Sequence, residues 1–213
     1  MRNFLVTLMC VAASSASAQQ LVAAGQESPR AGSAATTTAL RAVTPPRIDG
    51  KDSDPLWRNA QVIDGFRMFD PVEDGEPTMR TEARVAYDDR NLYVLVRAFD
   101  PHPDSITALL GRRDERTPSD YIRVIVDSYH DRRTGYAFMV NPAGVQRDIY
   151  LYNDSDEDVT WNAIWEVKTS IDSLGWVAEF RIPLSQLRYP QRAEHVFGIG
   201  IHREVARLNE RSS

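Results

Sequence analysis

Polar and apolar residues alternate with a period of two along most of the chain. Thr81-Glu82-Ala83-Arg84-Val85-Ala86-Tyr87 steps between the two classes, the pattern of a half-buried strand. Asp88-Asp89-Arg90-Asn91 is a turn cluster, and Leu92 to Ala98 is a second apolar run. Together they predict a β-hairpin. Tyr121 to Val126 is β-branched, and Asp131-Arg132-Arg133-Thr134-Gly135 turns it into Tyr136 to Val140. Asn141-Pro142-Ala143-Gly144 turns that strand into Val145 to Leu151. Trp161 to Thr169 and Gly175 to Ile182 predict another hairpin about Asp172 to Gly175, and Val196 to Val205 a last strand. Helical spacing is not sustained anywhere in this stretch. Short helical turns are expected at Asp54–Ala60, with Asp54 as cap and Pro55 in the first turn, and at Pro183–Leu187. The fold class that follows is all-β: an antiparallel β-sandwich with short helical turns.

The pattern fails at the front of the chain. Arg2 precedes the apolar run Phe4 to Ala13, and Ala16-Ser17-Ala18 follows it. A positive end, a short apolar core and an A-x-A site predict a secretory signal peptide over residues 1–18. The run is too short to span a bilayer, which takes about 20 apolar residues. Residues 19–46 are rich in Ala, Ser, Thr, Gly and Gln and close on Pro45-Pro46. Such a stretch cannot offset its own ordering entropy, so a flexible leader is expected. One domain then runs over residues 47–213. Its last residues, Val205 to Ser213, show no closing turn or terminal strand in the sequence. The expectation is a domain truncated at its C-terminal end, the first module of a longer exported protein.

Composition narrows the function classes. The chain has 213 residues, 25 basic against 30 acidic, a formal net charge of −5 and 42% hydrophobic residues. That is enough apolar material for an ordinary core. The acidic balance argues against a nucleic-acid partner. The single cysteine, Cys10, lies inside the expected signal, so the mature domain has neither a disulfide nor a Cys-based zinc site. Only Lys51 and Lys168 are lysines. Arginine therefore carries the positive charge, and its planar fork suits bidentate pairing with carboxylates.

No catalytic constellation stands out. His102, His130, His195 and His202 lack metal-ligand spacing, and Ser128 and Ser185 lack the glycines of a nucleophile elbow. The densest acidic run is Asn153-Asp154-Ser155-Asp156-Glu157-Asp158. Hard oxygens so closely spaced suit calcium in an extracellular module, through Asp154, Asp156 and Asp158; a solvated loop is the competing reading. Trp161 and Trp165, four apart, would share one face of a strand. Trp57 and Trp176 sit amid apolar neighbours and belong in the core, whereas Trp161, directly after the acidic loop, is open to either role. Aromatic rings can pack on the C–H face of a sugar while Arg, Asn and Asp bind its hydroxyls. On that chemistry Trp161 and Tyr152 are candidates for stacking. Asn153, Asn162 and Arg147 are candidates for polar contacts.

Three segments in order resemble one known family. Ile48-Asp49-Gly50-Lys51-Asp52-Ser53-Asp54-Pro55-Leu56-Trp57 resembles the opening of carbohydrate-binding module family 9 domains. Tyr87-Asp88-Asp89-Arg90-Asn91-Leu92-Tyr93 is similar to that family's hairpin, and Gly175-Trp176-Val177-Ala178-Glu179-Phe180-Arg181-Ile182-Pro183 to its late strand. Asp131 to Tyr136 and Asn141 to Val145 resemble a bacterial subgroup, in which the module is the exported front of an outer-membrane β-barrel protein. The resemblance implies a sandwich that binds a polysaccharide or oligosaccharide, sometimes with calcium. It also implies service in xylan- or cellulose-type catabolism beside a glycoside hydrolase or an outer-membrane assembly. The alternative is a non-catalytic periplasmic or surface domain whose partner is its own C-terminal β-barrel, with no affinity for sugar. Sugar-binding members clamp a terminal sugar between two tryptophans; Trp161 is the candidate for one side, and the second is not placed.

Overall fold

The computed structural model describes residues 36–153, 156–192 and 194–213. The expected signal peptide, Cys10 and most of the expected leader lie outside the described residues. In chain order the elements are β1 (Leu40–Arg41), helix α1 (Pro55–Asn59), β2 (Met68–Asp70), β3 (Thr81–Tyr87) and β4 (Asn91–Phe99). Then come β5 (Tyr121–Asp127), β6 (Gly135–Val140), β7 (Gln146–Tyr152), β8 (Asp156–Asp158) and β9 (Glu166–Asp172). The last three are β10 (Gly175–Pro183), β11 (Gly198–Val205) and β12 (Glu210–Ser212). They form a five-stranded sheet in the order β1-β3-β4-β10-β9 and a seven-stranded sheet in the order β2-β12-β11-β5-β6-β7-β8. All pairings are antiparallel except β1 with β3. The all-β sandwich is the observed class.

Turn chemistry read from the sequence closes the hairpins. The Asp88 carboxylate accepts from the Arg90 and Asn91 amides, each at 2.7 Å. Asp131 accepts from Arg133 and Thr134 at 2.8 Å, and Asn141 from Val145 at 2.9 Å. Each side chain supplies locally the acceptor that a turn amide would otherwise lack. At α1, Asp54 accepts from the Leu56 amide at 2.8 Å, with Pro55 in the first turn.

The core lies between the sheets. Val94, Val96, Trp176, Ala178 and Phe180 from one sheet meet Ile122, Val124, Phe138 and Val140 from the other. Trp165 stacks on Phe180 with ring centroids 5.8 Å apart. Strand β4 reads as nearly unbroken apolar sequence because both of its faces are covered. Tyr93, Leu95 and Val177 point away from the second sheet and pack under Ala42, Trp57 and Ala60.

That outer layer is pinned by one carboxylate. Glu179, wholly buried on β10, accepts from the Asp49 amide (2.8 Å), the Gly50 amide (2.9 Å) and the indole Nε1 of Trp57 (2.8 Å). Burial pushes its carboxyl above the ordinary glutamate range, while the three donors pull the other way. The first and third of the resembling segments are therefore the two halves of one contact. Gly50 sits at φ +75°, and a Cβ there would lie 2.9 Å from the Thr169 backbone, so the segment tolerates no side chain at this point.

The structure corrects three expectations. Trp161 to Trp165 is not a strand: β9 starts at Glu166, because the segment instead folds inward onto Asp148, as described below. The chain's end does carry a closing turn and a terminal strand. Asn209 adopts the left-handed conformation, and β12 pairs with both β11 and β2. Three residues are too few to show a period. Finally, the end of the expected leader is seated rather than loose, since Leu40–Arg41 lies beside Ala86–Tyr87 and Ala42 is buried.

Candidate functional site

The seven-stranded sheet turns one face to the core and the other outward. Ile122, Val124 and Val126 face the core, so strand alternation puts Tyr121 and Arg123 outward. The same rule sends out Met139 on β6, Arg147 and Ile149 on β7, His202 on β11 and Arg211 on β12. Antiparallel register sets His202 directly opposite Arg123, and Met139 opposite Arg147. The result is a groove of about 240 Å³ across the middle of the sheet.

Its chemistry is aromatic and arginine-rich. Phe69, on β2, is 41% exposed, an uncommon state for phenylalanine. Its ring lies 5.5 Å from that of His202, with the Arg211 guanidinium 5.6 Å above it. Arg116 lies 5.8 Å over the ring of Tyr121, a cation–π arrangement. Arg116 pairs with Glu204 through both carboxylate oxygens (2.7 and 2.6 Å), Arg123 with Glu157 (2.7 Å) and Arg211 with Asp70 (2.8 Å). Arg147 makes no ion pair among the described residues, and its Nε is buried without an acceptor. Burial first, and then Arg123 and Arg211, pull His202 down to about 4, so its ring is neutral at physiological pH.

Beneath the groove, Arg203 points inward. It donates to the carbonyls of Arg80 (2.9 Å) and Phe99 (2.8 Å) and ties the seven-stranded sheet to the open end of the β3–β4 hairpin in the other. Burial lowers it to about 10, against Asp120, Asp100 and Glu210, so it stays charged. A second hollow, about 950 Å³, lies where the β3–β4 and β5–β6 turns meet the end of β10, lined by Arg90, Tyr129, Arg181, Arg188 and Tyr189. It is larger but shaped by turns, whereas rigid strands set the groove, and strands hold recognition groups more accurately.

The residues singled out from sequence separate into two places. Arg147 lies in the groove. Tyr152, five positions along β7, points to the opposite face, stacked on Tyr150 at 6.1 Å. Trp161 is half-buried against Tyr136 (5.1 Å) and Phe138 (6.0 Å), and Tyr136 lies 5.4 Å from Tyr150. Trp161 and Tyr152 are thus the ends of one aromatic row, with two tyrosines between them. Asn162 donates to the Thr160 carbonyl at 3.0 Å, and Asn153 to Asp156 at 3.3 Å. Asp148 explains the fold of this segment. It is wholly buried and accepts from the Ala163 amide, from Trp165 Nε1 (3.1 Å) and from Arg113.

In the acidic loop, Asp154 lies outside the described residues. Asp158 accepts from the Thr160 amide (2.9 Å) and hydroxyl (2.6 Å), which hold its carboxyl below the ordinary aspartate range. Glu157 faces the groove. No three carboxylates or histidines converge as metal ligands among the described residues.

Sequence reasoning missed Phe69, Tyr121, Arg123, His202 and Arg211. They come from four strands, from Phe69 to Arg211, 142 positions apart, and only sheet register brings them together. The one local hint was a run of polar residues at alternate positions in strands whose other face is apolar.

Comparison with known proteins decides the family. The profile of the carbohydrate family 9 binding domain-like family matches residues 48–211. The chain belongs to this family. Two solved family 9 modules of Caldicellulosiruptor kristjanssonii share its fold. One, in complex with glucose, is 19% identical with a TM-score of 0.54 over 78% of each chain. The other, in complex with cellotriose, is 18% identical with a TM-score of 0.56 over 82% of each. No curated protein matches the sequence.

Proposed function

We propose that this family 9 domain is a saccharide-binding module whose sugar lies in the outer groove of the seven-stranded sheet. The observation that carries the reading is the pairing of the exposed Phe69 ring with a strand-mounted set of arginines and glutamates in one groove. A sugar ring would pack its C–H face on Phe69, and Arg123, Glu157, Arg147 and Glu204 would bind its hydroxyls. Family membership and the glucose and cellotriose complexes of similar folds support it. Service in polysaccharide catabolism, export, and attachment to an outer-membrane barrel belong to the same proposal.

A second reading places the sugar on the aromatic row from Trp161 to Tyr152, with Asn153 and Asn162 beside it. Its support is the 37% exposure of Tyr152 at the end of that row. Affinity electrophoresis on soluble xylan and β-glucan separates the two. The groove reading expects Phe69→Ala to weaken retardation about tenfold while Trp161→Ala retains it; the reverse favours the aromatic row. No retardation of the unaltered protein sinks both and leaves the barrel-associated domain without sugar affinity. Calcium at Asp154, Asp156 and Asp158 would raise the melting temperature at millimolar calcium, reversibly with EDTA.

A further inference from the structure

We infer that the groove selects an acidic saccharide, one whose carboxylate, as in a uronic acid, is received by Arg147. This rests on the saccharide reading and narrows it. Four arginines (Arg116, Arg123, Arg147 and Arg211) and three acids (Asp70, Glu157 and Glu204) meet here, a positive surplus on a chain whose formal net charge is −5. Each acid is already committed to an arginine, and of these four Arg147 is the one with no ion pair among the described residues; Arg203, beneath them, donates to the Arg80 and Phe99 carbonyls. Its Nε is buried without an acceptor, and so is the Nε of Arg123. The Tyr121 hydroxyl already accepts from the Thr117 amide at 2.9 Å, and the His202 ring carries no charge to offset.

The groove therefore offers many donors and few free acceptors. A neutral sugar corrects that imbalance less well, because each hydroxyl brings a donor along with its acceptor lone pairs and carries no charge. A carboxylate only accepts, and its two coplanar oxygens fit the guanidinium fork. Arg147, half-buried and without a counter-ion among the described residues, keeps its guanidinium for a ligand, and a carboxylate that supplies the acceptors gains a charge-assisted pair there. Phe69 gives the same ligand a platform for its ring.

Calorimetry with a trigalacturonic acid, its methyl ester and cellotriose tests the idea, because the ester keeps the sugar skeleton and removes the carboxylate charge, adding a methyl in its place. The acid is expected to bind at least about tenfold more tightly than its ester. That advantage should shrink between 25 and about 300 mM salt, as screening of an exposed ion pair requires. Arg147→Gln should bring the acid-to-ester ratio close to one, Arg147→Lys should keep part of it, and Arg188→Gln, in the other hollow, should keep all of it. Equal binding of acid and ester by the unaltered protein, or a ratio that survives Arg147→Gln, overturns the inference while the saccharide reading stands. No binding of any of the three removes the saccharide reading and this inference together. If Arg147→Gln fails to fold, the acid–ester comparison on the unaltered protein still decides.

Discussion

Replacing Glu179 tests the central claim about how the two family segments hold together. In Glu179→Gln the side chain keeps its length, but its one acceptor oxygen can serve either Trp57 Nε1 or the Asp49 and Gly50 amides, which stand 2.8 and 2.9 Å from the other carboxylate oxygen. The amide nitrogen then faces the remaining donor or donors, so in either orientation donor meets donor and at least one charge-assisted acceptor is lost. Each such loss costs about 1–3 kcal/mol. The raised carboxyl shows that burying the charge is itself costly, and the substitution relieves that cost. A net loss of about 2–4 kcal/mol is expected, a large share of the roughly 5–15 kcal/mol that holds a domain. Urea unfolding at pH 7 measures it, with an unchanged slope showing that the same surface is exposed. Hydrogen exchange locates it: the Gly50 amide should lose protection before the amides of β4 do. A midpoint within about 0.5 kcal/mol of the unaltered protein, with Gly50 still protected, would refute the clamp.

Asp148→Asn should cost about 2–4 kcal/mol by the same logic, since Ala163, Trp165 and Arg113 all donate to one buried carboxylate; thermal unfolding checks it. Gly175→Ala should destabilise by more than about 2 kcal/mol. The glycine has φ +134°, and a Cβ would be driven into the Ala98 carbonyl and within 2.7 Å of the Asp100 nitrogen; a melt unchanged by the substitution counts against the tight β4–β10 approach. Stability should also fall in acid through Asp100. Burial works against its charge, but the Arg207 fork (2.8 and 2.9 Å) and the His102 amide outweigh burial and hold the carboxyl below its ordinary value. A depressed carboxylate stabilises above its unfolded pKa, near 3.9, and that contribution disappears as pH falls through the lower folded value. Arg207→Met should flatten that part of a stability–pH curve, and an unchanged curve would show that the pair does not matter.

The sequence by itself determined the fold class, most of the strands, the turns and the cap of α1. All of these depend on residues near one another in the chain: a period of two, an Asx side chain reaching an amide two to four positions on, a proline in a first turn. It also marked Arg147 as a polar candidate, because it lies in the same segment as Tyr152 and Asn153, where aromatic and polar side chains cluster. It could not determine that Trp161 to Trp165 would leave the strand pattern. Asp148, more than ten positions earlier, captures Ala163 and Trp165, and a long-range hydrogen bond outweighs local periodicity. Nor could it show β12, whose three residues gain their place only by pairing with β11 and β2.

The groove was hidden for a related reason. A strand's alternation says which residues share a face, but not which face of which sheet lies open. Residues 42–60 pack on the outer face of the five-stranded sheet, pinned by Glu179, whereas among the described residues the corresponding face of the seven-stranded sheet keeps a groove floored by Tyr121, Met139 and Ile149. Register then sets His202 against Arg123 and brings Arg147 beside Met139. Which arginine is left without a carboxylate is a property of that arrangement, since every charge involved is visible in the sequence and only the sheet decides how they pair.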